Sequence, residues 1–249
     1  MFYNIFAFIR FILLGIDFVV FTVVMYVLTF LPKVFLDKFY PRLFRAWCWS
    51  FIRALGIDLK LHQKNHVAIP KQYILVANHP SAFEDIGIPA LFDVFSLAKI
   101  EVRDWFMVGR MSWAAGTLYV HRESRESRKE AAQALLETVS AGRNVALYPE
   151  GGCKGRRIYE RFLYGAFDAS IKSGIPILPV FLHYEAQQDF EWQPPYTLLH
   201  KLWHFIRLQN NRVNYYVYDA IYPAQFEDKE SFTNHVHSMY LELQKRYLD

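Results

Sequence analysis

The stretch Ile74-Leu75-Val76-Ala77-Asn78-His79-Pro80-Ser81-Ala82-Phe83-Glu84-Asp85-Ile86-Gly87 begins apolar and turns abruptly polar. A short apolar run bounded by turn-forming residues reads as a buried strand. Asn78 and His79 then emerge at its carboxyl end, where open α/β sheets gather their reactive groups. An imidazole titrates near pH 6.5, and a carboxylate beside it fixes its tautomer and stabilises the imidazolium formed when it takes a proton. Glu84 lies five residues from His79 and Asp85 six. Either could serve as that carboxylate.

Ser81 is the nearest candidate nucleophile, but the chain contains no Gly-x-Ser-x-Gly elbow. It fits better as a residue that shapes the loop. Without an enzyme nucleophile, His79 must deprotonate a substrate hydroxyl directly. That is feasible when the acyl donor is an activated thioester, so the stretch points to acyl transfer.

Outward from this stretch, short β-rich runs at 73–77, 94–99, 117–121, 144–148, 175–184 and 214–222 alternate with helical or loop segments. Residues 124–141 carry Ala131, Ala132, Leu135, Leu136 and Val139 at helical spacing, with Gly142 placed to cap the helix. The alternation predicts a layered α/β domain with a mixed central sheet. Residues 185–208, rich in Trp, Pro and His, read as a long irregular connection facing the membrane or forming a lid.

Residues 11–31, FILLGIDFVVFTVVMYVLTFL, carry a single charge, Asp17. As a helix they span roughly 30 Å, the thickness of a bilayer core. The run is too long for a cleaved signal peptide, and no small-residue cleavage site follows it. Asp17 is costly at mid-bilayer, about 2.5–3.5 kcal/mol, so a single span and a kinked or embedded hairpin both remain open. Beyond Pro32, aromatic residues are interleaved with cations. Between Lys33 and Lys64, seven basic residues stand against two acids, a net +5. That mixture suits a helix lying in the interface on anionic headgroups. Its position after the apolar run places the remainder on the cytoplasmic face of the inner membrane. The division expected is 1–60 for membrane-anchoring helices and 61–249 for the catalytic domain.

The chain has 249 residues, is 53% hydrophobic and 18% aromatic, and has a formal charge of +4. This excludes a disordered chain and gives no footprint for nucleic acid. Two distant cysteines, Cys48 and Cys153, exclude a disulfide framework or a cysteine-based zinc site. The spaced histidines His200 with His204 and His235 with His237 lack the carboxylate or cysteine context of a metal site, so no metal or cofactor is expected.

Three later stretches complete the pattern. GTLYVHR ends a strand at Arg122, YPEGGCKGRR sets Glu150 in a glycine-rich turn followed by cations, and GIPILPV is an apolar strand with Pro176 and Pro179. Glycine-rich turns bring backbone N–H groups close to an anion, and Lys and Arg supply charge-assisted hydrogen bonds to phosphate. In order and spacing, these and the opening stretch resemble the four sequence blocks of the glycerolipid acyltransferase family, which includes lysophosphatidic acid acyltransferase. The segment AKIEVRDWFMVGRMSWAAG between them is also similar.

The resemblance implies that His79 is the general base, oriented by the acid of the first block. Spacing favours Glu84, and a one-residue bulge would favour Asp85. It implies that Arg122, together with Glu150 and Gly151, holds the acceptor's phosphate, and that the fourth block is architectural. The third block departs from the family pattern: Gly152, Cys153 and Lys154 stand where Thr-Arg-Ser is usual. Lys154, Arg156 or Arg157 would then supply the charge, although Lys does not replace Arg in bidentate phosphate binding. The reaction implied is transfer of a fatty acyl group from acyl-coenzyme A or acyl carrier protein to a lysophospholipid in the bilayer. Lysophosphatidic acid is the leading acceptor, with other lysolipids, aminolipids or lipid A-type acceptors as alternatives. A membrane lipase and an inactive lipid-binding protein are the readings from other classes.

Overall fold

The computed structural model describes residues 2–121, 125–155, 157–192 and 197–249. The opening apolar run forms strand β2 (Ile74–Ala77), with all four residues buried. It lies fourth in a seven-stranded sheet of order β1-β7-β6-β2-β5-β3-β4. The remaining strands are β1 (Asp58–Gln63), β3 (Phe95–Lys99), β4 (Leu118–Val120), β5 (Val145–Leu147), β6 (Ile177–Tyr184) and β7 (Arg212–Val217). β6, β2, β5, β3 and β4 run parallel, whereas β7 is antiparallel to β6 and carries β1 parallel beside it. The sheet is therefore mixed. Its central strands are continuously apolar because both faces are covered.

Period-2 alternation divides the core. Leu75, Ala77, Leu178, Val180 and Leu182 face one layer, and Ile74, Val76, Ile177 and Phe181 face the other. The first layer is covered by helix α2 (Lys33–Ala54) and by α3 (Glu84–Leu91). The second is covered by α5 (Arg125–Ser140), α6 (Gly165–Ser173) and α9 (Lys229–Tyr247). Between β3 and β4 lies α4 (Val108–Ala114).

Helix α1 (Phe2–Leu28) runs antiparallel to α2, since their contacts pair rising with falling numbers. Ser50 donates to Asp17 Oδ2 at 2.8 Å, Trp47 Nε1 to Thr22 Oγ1 at 2.8 Å, and Tyr40 Oη to the Met25 carbonyl at 3.0 Å. Asp17 thus has a partner on α2. The outer side of α1 stays bare: Val19, Val23 and Val27 are 50–60% exposed, and Ile9–Leu28 is long and apolar enough to cross a membrane.

Three local expectations change. β1, preceding the first strand read from sequence, pairs with β7 in register Leu59↔Val213. The reading missed it because only alternate residues of this edge strand turn inward. Helix α2 does not lie free as an interfacial helix. Leu36, Tyr40, Trp47, Cys48 and Ile52 are buried in the sheet's core, while Lys38, Arg42 and Arg53 face outward. Most of the apolar side is taken up by the protein itself, while Val34 and Phe35 in the first turn stay exposed. Nor is 185–208 irregular throughout: α7 (Gln187–Phe190) and α8 (Leu198–Ile206) form within it. Thr197 caps α8 by accepting the His200 N–H, and Phe205 packs inward while Trp203 and Ile206 face out. Three of the residues read as irregular composition are thus the two sides of an amphipathic helix.

Candidate active site

β2 and β5 are adjacent and parallel in register Val76↔Leu147, so each chain emerges at the same edge. Three residues further along each strand stand His79 and Glu150. Glu150 Oε1 accepts the His79 backbone N–H at 2.8 Å and Oε2 accepts the Tyr159 N–H at 3.0 Å. Asn78, also at this edge, ties β2 to β6: its Nδ2 donates to the Leu182 carbonyl at 3.0 Å and its Oδ1 accepts the Leu182 N–H at 2.7 Å. Removing both partners from a buried peptide costs about 1–3 kcal/mol per unsatisfied group. Asn78→Ala is therefore expected to destabilise the fold by several kcal/mol, read as a fall in melting temperature in detergent. An unchanged melt would mean that this bridge does not hold β2 to β6.

The His79 ring faces Glu84, in the first turn of α3, with Nδ1 2.9 Å from Oε1. The same oxygen accepts the Ser81 N–H at 2.7 Å, and Ser81 Oγ accepts the Phe83 N–H at 3.1 Å. Ser81 shapes the loop that brings the acid back to the histidine. Glu84 Oε2 accepts from Tyr184 Oη at 2.6 Å, and Tyr215 Oη lies 3.4 Å from that hydroxyl. Burial holds both phenols well above their ordinary values, so they remain neutral donors. Gly87 makes room for this relay, because a Cβ there would sit 2.3 Å from Tyr215 Oη. On its other side the imidazole stacks on Tyr148, with centroids 4.2 Å apart and planes 12° from parallel.

Burial alone would depress the His79 pKa. Hydrogen bonding of the ring to Cys153 and Glu84 and the charge of Glu84 outweigh it and hold the ring well above its ordinary value. Cys153 Sγ is 3.7 Å from Nε2 and donates to the Ser81 carbonyl at 3.2 Å. Burial pushes the thiol up, against the opposing pull of His79.

The residues read from sequence thus separate. His79, Glu84 and Glu150 converge. The bulged alternative is not adopted: Asp85 is exposed and lines a cleft instead of pairing with the histidine. Glu150, expected beside the acceptor's phosphate, has both oxygens engaged by backbone N–H groups, so it positions the histidine loop. Gly151 sits in the left-handed region at φ +76, with Leu163 Cδ1 2.7 Å from where a Cβ would be; the turn is closed to side chains there. Lys154 is exposed and lies over the Tyr159 ring at 5.1 Å, and Arg157 pairs with Asp249 at 2.5 Å. Arg122 and Arg156 lie outside the described residues. Sequence reading missed Tyr148, Tyr184 and Tyr215. No local spacing marks them, since Tyr184 reaches Glu84 across 100 residues.

Beside the loop, an apolar cleft of about 170 Å³ opens between Phe44, Trp47 and Phe51 of α2, Ala82 and Phe83 of the loop, and Val108 and Met111 of α4. Ala98 of β3 and Phe205 of α8 also line it.

Residues 58–183, just over half of the chain, match the model of the acyltransferase family. The 1-acyl-sn-glycerol-3-phosphate acyltransferase of Neisseria gonorrhoeae is 30% identical over 130 residues, 52% of this chain and 50% of that protein. The chain thus spans about half the length of that relative. The lyso-ornithine lipid O-acyltransferase of Pseudomonas aeruginosa is 28% identical over 204 residues, covering 80% of this chain and 77% of that one. The crystal structure of the 1-acyl-sn-glycerophosphate (LPA) acyltransferase PlsC from Thermotoga maritima shares the fold, with a TM-score of 0.60 over 96% of both chains at 19% identity.

Proposed function

We propose that this chain, which belongs to the acyltransferase family, transfers a fatty acyl group from an acyl thioester to the hydroxyl of a lysophospholipid. The observation that carries this reading is the 2.9 Å contact between His79 Nδ1 and Glu84 Oε1, which leaves Nε2 for a substrate proton. The acceptor hydroxyl gives its proton to Nε2 as its oxygen attacks the thioester carbonyl, and Glu84 stabilises the imidazolium. Proton transfer by His79, oriented by Glu84, is the only side-chain chemistry this route requires, with acyl-coenzyme A or acyl carrier protein as co-substrate. The apolar cleft holds the acyl chain. The bare face of α1 seats the protein in the bilayer, where acceptor and product reside, and the cations after α1 keep the catalytic layer on the cytoplasmic face of the inner membrane.

Lysophosphatidic acid is the first acceptor reading, supported by the four sequence blocks. A lyso-ornithine lipid is the second. It is favoured by the engagement of Lys154 and Arg157 with Tyr159 and Asp249, which draws two cations of the third block away from a phosphate role. Thiol release from acyl-coenzyme A and from acyl carrier protein donors, with each lysolipid in turn, decides between them. Faster release with lysophosphatidic acid supports the first reading and faster release with lyso-ornithine lipid the second, whereas release independent of any acceptor would indicate a hydrolase.

The cleft gives a further expectation. Ala98→Phe adds a ring to its wall, so long-chain donors should lose about 10-fold or more in kcat/KM relative to short ones. Equal loss at every chain length would mean that the acyl group lies elsewhere.

A further inference from the structure

Resting on the acyltransferase reading, we propose that the turn Trp105-Phe106-Met107, just before α4, is a second membrane contact. It inserts Phe106 into the cytoplasmic leaflet and joins the apolar cleft to the acyl layer. The Phe106 ring is 83% exposed, yet the turn that carries it is tightly built. The Phe106 carbonyl accepts the Val108 N–H at 2.7 Å, and the Trp105 carbonyl accepts the Gly109 N–H at 2.9 Å. Gly109 permits α4 to start against the preceding 3-10 helix Ile100–Asp104, since a Cβ there would lie 1.9 Å from the Arg103 carbonyl oxygen. Met107 holds a φ of +59, the one positive value outside glycine among the described residues. Such a backbone is costly and persists only where its surroundings enforce it. A strained turn that holds a bare phenyl ring in water has no compensation there, whereas burial of the ring in lipid supplies one.

Helix α1 sets the depth. The Phe106 ring packs on Tyr26, with centroids 6.2 Å apart, and Tyr26 belongs to the apolar span Ile9–Leu28. A lipid layer that covers the bare side of that span covers Phe106 as well. Just past the end of the span, Arg110 Nε donates to Thr29 Oγ1 at 2.8 Å, and its guanidinium lies 4.0 Å over the Phe30 ring. Lys33 Nζ lies 5.4 Å over the Trp113 ring. Cations and aromatic rings at the end of a span are the composition of the headgroup level. From Tyr26 to Lys33 the surroundings therefore pass from acyl layer to headgroups, and Phe106 falls on the acyl side. Trp105 and Val108, on either side of the turn's tip, line the cleft with Phe44 and Phe51 of α2. The chain of a lysolipid thus passes from leaflet to cleft beside this turn without crossing water.

The test uses the full chain in vesicles of phosphatidylglycerol and phosphatidylethanolamine, with an environment-sensitive fluorescent residue introduced at position 106. Lipids carrying a nitroxide on the acyl chain should quench this probe more strongly than aqueous iodide does. Phe106→Asp should lose about 10-fold or more in kcat/KM for a long-chain lysolipid held in the vesicles, while Phe106→Leu stays near wild type. With a short-chain lysolipid that is monomeric in water, all three proteins should transfer at similar rates, because the ring points away from the cleft. Quenching by iodide alone, or wild-type rates of Phe106→Asp on vesicles, would overturn the insertion. A probe shielded from both quenchers would also overturn it and would place protein, such as a second copy of the chain, over the turn. Equal loss on both acceptors would overturn the role in chain entry. Quenching from the acyl layer with no acceptor-dependent thiol release by wild type would uphold the membrane contact and overturn the acyltransferase reading.

Discussion

His79→Ala is expected to reduce acyl transfer by roughly 100- to 10,000-fold, the range for removing a positioned general base, while the protein still folds. The backbone N–H of residue 79, which Glu150 holds at 2.8 Å, survives the substitution. Glu84 keeps its bonds from Ser81 and Tyr184. The change therefore removes the ring but leaves the loop that carries it. Acceptor-dependent thiol release and thermal melting, measured on the same preparation, check both halves of the expectation. Retained turnover would place the base elsewhere, and a collapsed melt would show that the ring's stacking on Tyr148 is structural.

Glu84→Gln is expected to reduce transfer to a similar degree and also to move the pH profile. Glutamine can direct its carbonyl toward His79 and Ser81 and its amide toward the Tyr184 oxygen, so shape is preserved while the charge is lost. The sign follows from the forces on His79. Burial lowers its pKa, whereas the Cys153 hydrogen bond and the Glu84 hydrogen bond and charge raise it, the latter group prevailing. Only the neutral ring accepts a proton. In the wild type, kcat/KM should therefore fall toward acid with a midpoint above the ordinary imidazole value of about 6.5. Without the Glu84 charge, burial meets less opposition and the acid limb should shift to lower pH. A limb that keeps its midpoint in the variant would belong to another group. The contrast with His79→Ala is informative, since that variant should lose the limb rather than displace it.

Substantial parts of the site could be read from the chain. The apolar run 74–77 in front of His79 signalled a buried strand ending at a polar edge, and β2 is buried along its length. The alternation of short apolar runs with helical stretches specified a layered α/β arrangement, and the mixed sheet is present. The pairing of His79 with Glu84 over Asp85 was the reading favoured by the spacing of the family's first block, and in the structure the first turn of α3 brings Glu84 back to the histidine. These signals are short-range: strand period, helix period and loop length depend on residues close in sequence.

What was illegible shares the opposite property. β1 joins the sheet only through its register with β7, more than a hundred residues later. Helix α2 has the composition of an interfacial helix, yet its aromatic side meets the core, a choice that depends on what packs above it. The apolar positions of α8 were interrupted by Lys and His, obscuring its helical stripe until Phe205 was seen to face inward.

What the amino-acid order determined by itself was the buried strand, the histidine at its end with two acids five and six residues further on, and the long apolar run near the amino terminus. Tertiary structure alone decided that Glu150 is a brace, since the parallel register of β2 and β5 sets it beside His79 across 71 residues. It also brought Tyr184 and Tyr215 from two further strands onto Glu84, and set the Cys153 thiol against Nε2. The reason is physical. A carboxylate or a thiol carries the same side chain wherever it lies in the chain, and only the strand order and the turns between strands determine which groups it meets once water is excluded.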